Sequence, residues 1–272
     1  MNLINRLIVL VDFSEYSDTL VKLANLFAGK LQAEVVFVHQ IAGLAPAMAD
    51  INSRNQIIHA EKKEALEQFH HLLHGHFNHK ASYIITEQNL LPVLHGLSNN
   101  NYFNWVLVGL KGTGLLKQLF IGSTAIKIVD ESDLLTIAMP LQQEVALPKR
   151  LAVAVSSKYP INKEQLNGIL QNLSSFFSEL VLLTIIQDAT EEPEARQFLT
   201  NFAHEYAQYN PQTQVFTANN AFETLKNFME LQPHTYLVVQ QGSRTFTDTL
   251  FRSFMINELV YHGSIPLIVL SS

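Results

Sequence analysis

The chain has 272 residues, 47% of them hydrophobic, with 18 Lys and Arg against 24 Asp and Glu for a formal net charge of −6. That length suits two domains with a core each, and the acidic balance leaves no basic face for a general nucleic-acid partner. Absence of cysteine excludes disulfides, thiolate nucleophiles and Cys-based zinc sites, and the apolar run at 7–11, cut by Asp12, is too short for a signal-peptide core or a membrane span, so a cytoplasmic protein is expected.

Residues 7–11 are continuously apolar and β-branched, the pattern of a strand covered on both faces in a parallel sheet. From Ser14, a helix N-cap residue type, Leu20, Leu23, Ala24 and Phe27 fall at helical spacing, and Gly29 is expected to end the helix. A strand at 35–38 follows, then a long helix over 56–73 spaced by Ile57, Ala60, Glu64 and Leu66. Strands at 83–86, 105–108 and 134–139 alternate with helices at 92–97 and 123–129. The order βαβαβαβαβ predicts an α/β fold: a parallel sheet with helices on both faces.

Residues 141–149, with Pro140 and Pro148 near the ends, read as a linker, and beyond it the pattern restarts. Strands are expected at 151–155, 180–185, 214–217, 236–239 and 267–270, with helices at 164–177, 194–206, 222–231 and 256–261. A domain-length internal repeat accounts for this spacing, with domains at 1–141 and 149–272.

In such sheets ligands bind beyond the carboxyl ends of the strands. Asp12 closes the first strand, where a carboxylate suits a ribose hydroxyl or an adenine amino group. Gly109-Leu110-Lys111-Gly112 follows the fourth, and Gly122-Ser123-Thr124 opens the next helix, a combination suited to phosphates. The same glycines could serve a turn and Ser123 a helix cap, and spacing alone leaves both readings open. Neither G-x-x-x-x-G-K-[ST] nor G-x-G-x-x-G follows any strand.

The spacing Gly109-x2-Gly112-x9-Gly122-Ser123, with Val11-Asp12-Phe13-Ser14-Glu15 and Val38-His39 at the first two strand ends, resembles the universal stress protein family in a tandem two-domain form. The resemblance implies two doubly wound domains, each with a five-stranded parallel sheet of order 3-2-1-4-5. It also implies binding of ATP, or of AMP or ADP, with Mg accompanying ATP. Position by position, Val11, Asp12, Gln40 and Val108 would meet the adenine side, and Gly109, Gly112, Gly122, Ser123, Thr124 and Ala125 the ribose and phosphates.

The second half departs from that pattern. Gln240, Ser243, Ser253 and Phe254 stand opposite Gly109, Gly112, Gly122 and Ser123, and Ser156 replaces Asp12, so no nucleotide is expected there. Its implied role is to pair with the first domain through the last strands, and a homodimer is a further implied association. The expected function is a cytoplasmic stress-response or regulatory protein that binds an adenine nucleotide in its N-terminal domain. The alternative is a nucleotide-independent interaction scaffold of the same fold. No catalytic residue is assigned, and at most slow ATP hydrolysis is expected, since no Ser-His-Asp or paired-carboxylate arrangement accompanies the loop.

His70, His71, His74, His76 and His79 crowd one helix end, but no carboxylate or cysteine completes a ligand set, so they read as a solvated surface and no metal is assigned. His39 reads as structural; Phe176, Phe177, Phe198 and Phe202 read as core. Lys111 either reaches a phosphate as a point charge or lies in solvent.

Overall fold

The computed structural model describes residues 3–43, 50–99, 101–110, 121–141, 144–241 and 265–272. Contacts divide the chain into two compact units, Met1–Gly109 and Leu110–Ser272.

In the first unit, β1 (Ile4–Leu10), α1 (Glu15–Leu31), β2 (Glu34–Gln40), α2 (Ile51–Leu73), β3 (Ala81–Thr86), α3 (Leu90–Leu97) and β4 (Tyr102–Leu110) follow one another. The strands are parallel in the order β3-β2-β1-β4. The apolar run of β1 is central and fully covered, as its unbroken hydrophobicity requires. Phe27, Phe37, Phe69 and Trp105 are wholly buried, and the Trp105 indole N–H donates to Asn5 Oδ1 at 3.0 Å. An aromatic N–H placed in a core needs such an acceptor.

Three local expectations change here. Gly29 lies inside α1, which runs on to Leu31 and is closed by Gln32 in the left-handed region at φ 50°. A Cβ on Gly29 would stand 3.2 Å from Nε2 of the exposed His79 side chain, a tight contact inside the helix rather than its end. Helix α2 begins at Ile51, ahead of the expected start, because the Asp50 carboxylate accepts the Ser53 N–H at 2.7 Å. Its buried stripe is Ala65, Phe69 and Leu73, four residues apart, which leaves Leu66 exposed.

The second unit contains α4 (Ile121–Glu131), β5 (Leu135–Pro140), β6 (Arg150–Ala154), α5 (Lys163–Leu173), β7 (Glu179–Ile186) and α6 (Glu192–Glu205). It continues with β8 (Gln212–Thr217), α7 (Ala221–Glu230), β9 (Thr235–Gln240) and β10 (Leu267–Leu270). Strands β8-β7-β6-β9-β10 are parallel, the 3-2-1-4-5 order expected of the repeat. Beyond β10 comes β5, antiparallel, with Leu267 opposite Ala138 and Val269 opposite Thr136. The last strands of the two repeats are therefore hydrogen-bonded to each other. Because β5 is bound there, compactness groups it with the second unit although it precedes the 141–149 segment.

That segment is held against the same unit, with the Tyr236 hydroxyl donating to the Ala146 carbonyl at 3.0 Å and the Lys149 N–H to the His234 carbonyl at 2.9 Å. Helix α5 stops at Leu173, short of Phe177, which is buried beyond it. The helix expected at 256–261 lies outside the described residues. Among the described residues, no helix is long and apolar enough to cross a membrane.

Candidate functional site

The carboxyl ends of β2, β1 and β4 lie side by side, and the register Val9 to Leu107 continued by two residues sets Val11 level with Gly109. Val11, Asp12, Gln40, Val108 and Gly109 thus meet along one edge of the first unit's sheet.

Val11 prolongs the ladder: its N–H donates to the Val38 carbonyl at 2.9 Å, and its carbonyl lies 2.7 Å from His39 Nδ1, which donates to it. With the side chain 4% exposed, Val11 has no free N–H for a ligand and little surface. Asp12 is exposed, and its Oδ1 is fixed by the Ser14 N–H at 3.0 Å, the Ser14 hydroxyl at 2.6 Å and the Ser17 hydroxyl at 3.4 Å. The carboxylate is locked against the start of α1, where the helix dipole favours negative charge. Its Oδ2, and the side-chain amide of exposed Gln40, have no hydrogen-bond partner among the described residues.

Between these groups Phe13 adopts φ 56°, a left-handed conformation that costs an aromatic residue about 1 kcal/mol or more. What holds it is packing. Its ring lies 4.5 Å from the His39 ring and 4.9 Å from that of Phe69, which in turn lies 5.2 Å from Tyr83. These rings plug the space between the ends of β1 and β2 and the α2 helix, and they hold His39 against Val11. Sequence reading placed His39 in a structural role but gave Phe13 none.

Gly109 is inside β4 rather than beyond it, since the strand runs on to Leu110, which is fully buried. A Cβ on Gly109 would stand 2.9 Å from Tyr16 Cβ and 3.0 Å from the Tyr16 ring. Tyr16, 6% exposed on α1, occupies the place that a side chain would take. Gly122, Ser123 and Thr124 belong to the first turn of α4, which starts two residues ahead of expectation, and Ala125 follows it. N–H groups in a first helical turn lack intrahelical acceptors. Ala125 is buried. Gly112 and Lys111 lie outside the described residues, as do Ser243, Ser253 and Phe254.

In the second repeat, Val155 N–H donates to the Leu183 carbonyl at 2.9 Å, the counterpart of Val11 on Val38, which aligns Ser156 with Asp12. Val153 opposite Val238 likewise aligns Gln240 with Gly109. Gln240 does not project into free space. Its Oε1 accepts the Asn162 N–H at 2.6 Å, and its Nε2 donates to the Ser271 carbonyl at 2.9 Å. Asn162, the N-cap of α5, also donates to the Ser271 carbonyl at 3.1 Å, and Gln165 exchanges bonds with Ser271 at 2.7 and 2.8 Å. Of the N–H donors at the start of α5, those of Asn162 and Gln165 are taken up by the Gln240 and Asn162 side chains.

The histidines from His70 to His79 are exposed apart from their carbon contacts, and His76 lies 3.8 Å from Asp18. Among the described residues no group of three or more potential ligands is placed to hold a metal ion. Of the phenylalanines read as core, Phe177 and Phe202 are buried, while Phe176 is half-exposed and Phe198 stays half-exposed beside a cavity.

Residues 4–135 match the model of the universal stress protein family. No curated protein sequence matches the chain. Among solved structures, a universal stress protein from Archaeoglobus fulgidus superposes with a TM-score of 0.71 at 15% identity, over 98% of each chain. A functionally unknown protein from Pseudomonas aeruginosa gives 0.61 at 11% identity, over 98% of this chain and 92% of that one. The cytoplasmic domain of a prokaryotic cation chloride cotransporter gives 0.54 at 14% identity, over 98% of this chain and 95% of that one. At such identities the likeness is one of fold, and the fold alone does not carry a role.

Proposed function

We propose that this chain, whose residues 4–135 match the universal stress protein family, is a stress-response or regulatory protein that binds ATP, or another adenine nucleotide, in its first repeat and none in its second. The observation behind this reading is the half-engaged carboxylate of Asp12. Oδ1 is held by three local donors, while Oδ2 and the Gln40 amide have no partner among the described residues. A ribose hydroxyl suits Oδ2, and the edge of an adenine suits an amide that both donates and accepts. Phosphates are assigned by sequence motif alone, to Gly112, Gly122, Ser123 and Thr124, with Mg accompanying ATP. In the second repeat, Ser156 offers no carboxylate and Gln240 is bonded to protein groups, which supports a single site. Binding rather than turnover is the proposed activity, and the proposed place of action is the cytoplasm.

One observation favours the scaffold alternative. Gly109 is required by Tyr16 whether or not a nucleotide binds, so that glycine carries less weight for a ligand than its motif suggests. Calorimetry with ATP, ADP and AMP separates the two. One equivalent per chain is expected, weakened at least about ten-fold by Asp12→Ala, in line with loss of a hydrogen bond to a charged group, and abolished by Gly122→Asp. Absence of nucleotide binding establishes the scaffold reading instead, and equal binding by these variants overturns the assignment of the site to Asp12 and Gly122.

A further inference from the structure

A cavity of about 180 Å³ opens at the carboxyl ends of β6 and β7, beside α6. It occupies the place in the second repeat that rings fill in the first. With Val155 equivalent to Val11, Ser157 takes the position of Phe13 and Thr184 that of His39. Two small hydroxyl residues replace two rings, and the space they leave is lined by both of them.

Thr184 is 7% exposed, lines the cavity, and its hydroxyl has no hydrogen-bond partner among the described residues. A buried hydroxyl left unpaired is costly, so the site favours an occupant that bonds to it. Charge narrows the class. Glu191 and Glu194 face the cavity against one cation, Lys158, which lies 3.9 Å from Glu191. Glu194 has no ion-pair partner among the described residues. Two carboxylates against one ammonium disfavour a phosphate and favour a positive ligand, while Ile185 and the ring of Phe198 offer apolar contact for methylenes.

We propose that this cavity binds a small organic amine in its ammonium form. The ammonium group donates to Thr184 Oγ1, Glu194 balances its charge, and its carbon chain lies against Ile185 and Phe198. The site is independent of the nucleotide reading, since it belongs to the other repeat and shares no residue with Asp12, Gln40 or Gly109.

The test is calorimetry and saturation-transfer NMR on the full chain with putrescine, with adenosine and inorganic phosphate as comparison probes. One putrescine per chain is expected. Thr184→Val, which keeps the shape and removes the hydroxyl, and Glu194→Gln should each weaken it at least about ten-fold. Ser157→Phe should abolish it by restoring a ring where the first repeat has one, while Asp12→Ala leaves it unchanged. Failure of putrescine to bind at millimolar concentration, as when ordered water alone satisfies Thr184, overturns the proposal. So does unchanged affinity in Thr184→Val and Glu194→Gln, or displacement of putrescine by adenosine.

Discussion

Between the ends of β1 and β2 the rings of Phe13, His39 and Phe69 close the sheet edge, whereas between the ends of β6 and β7 Ser157 and Thr184 leave it open. The backbone ladder is the same in both places, down to the N–H of Val11 on Val38 and of Val155 on Leu183. Two copies of one frame have thus diverged by exchanging side-chain volume and hydrogen-bonding groups at matched positions. In the first, the plug leaves polar groups of Asp12 and Gln40 at the surface. In the second, the polar groups next to β9 are bonded inward and the space has moved toward β7.

The largest contrast should appear on truncating the helix ring at each place. Phe69→Ala removes a wholly buried ring packed against four others and should cost about 3 to 5 kcal/mol in denaturant unfolding. Phe198→Ala trims the wall of an open cavity, so a cost of less than half that is expected. Equal costs would mean that the second repeat is as closed as the first.

Gly109 and Gln240 give the next contrast. Gly109→Val drives a branched side chain into Tyr16 and should cost about 1 to 3 kcal/mol by overpacking. Gln240→Ala should cost a comparable or smaller amount for the opposite reason, because the Asn162 N–H and the Ser271 carbonyl lose partners. Thermal melts of both variants, and of Gly109→Val with Tyr16→Ala, check this. If the added Tyr16→Ala recovers no stability lost through Gly109→Val, the contact is not the reason for the glycine.

Smaller still is a pH effect shared by the repeats. Asp50 and Asp188 each cap the helical segment after the second strand of their repeat, and bonds from the Ser53 and Thr190 N–H groups hold their carboxyls below the ordinary value of about 3.9. A carboxyl with a lowered folded pKa stabilises when ionised, so the contribution is complete above the unfolded value and is lost as pH falls through the folded one. Asp130 on α4 has the opposite sign. Burial, and then the charge of Glu131, raise its pKa, so its ionised form weakens the fold above that raised value. Asp130→Asn should raise Tm by one or two degrees, on the order of the shift that a few tenths of a kcal/mol produces, at pH 7, and leave it unchanged at pH 3. Melts of Asp50→Asn, Asp188→Asn and Asp130→Asn from pH 3 to 7 test the signs together.

The frame was legible because buried parallel strands are written as apolar runs such as 7–11 and 236–239, whereas the less buried edge strands β3 and β8 carry shorter ones. The pairing of the last strands could be expected only from the family resemblance, since nothing in 134–139 or 267–270 encodes an antiparallel neighbour. Two glycines that look like punctuation in sequence lie inside elements, Gly29 in α1 and Gly109 in β4, and at Gly109 it is Tyr16, 93 residues away, that excludes a side chain. The buried face of α2 was missed because Glu64 and Leu66 fit a helical period as well as Ala65 and Phe69 do. The cavity was invisible because a lone threonine in a strand carries no sign that its hydroxyl lacks a partner.

The antiparallel join of β5 to β10 also sets an order of events as the chain is made. Its two strands are separated by more than a hundred residues, so β5 emerges with that edge unpaired and stays so until the whole second repeat has followed. Over that interval the edge is open to any neighbouring chain at the same stage. Slow elongation after 140 should therefore favour mispairing, and a chaperone that shields a bare strand should matter most for this protein while its second half is still being synthesised.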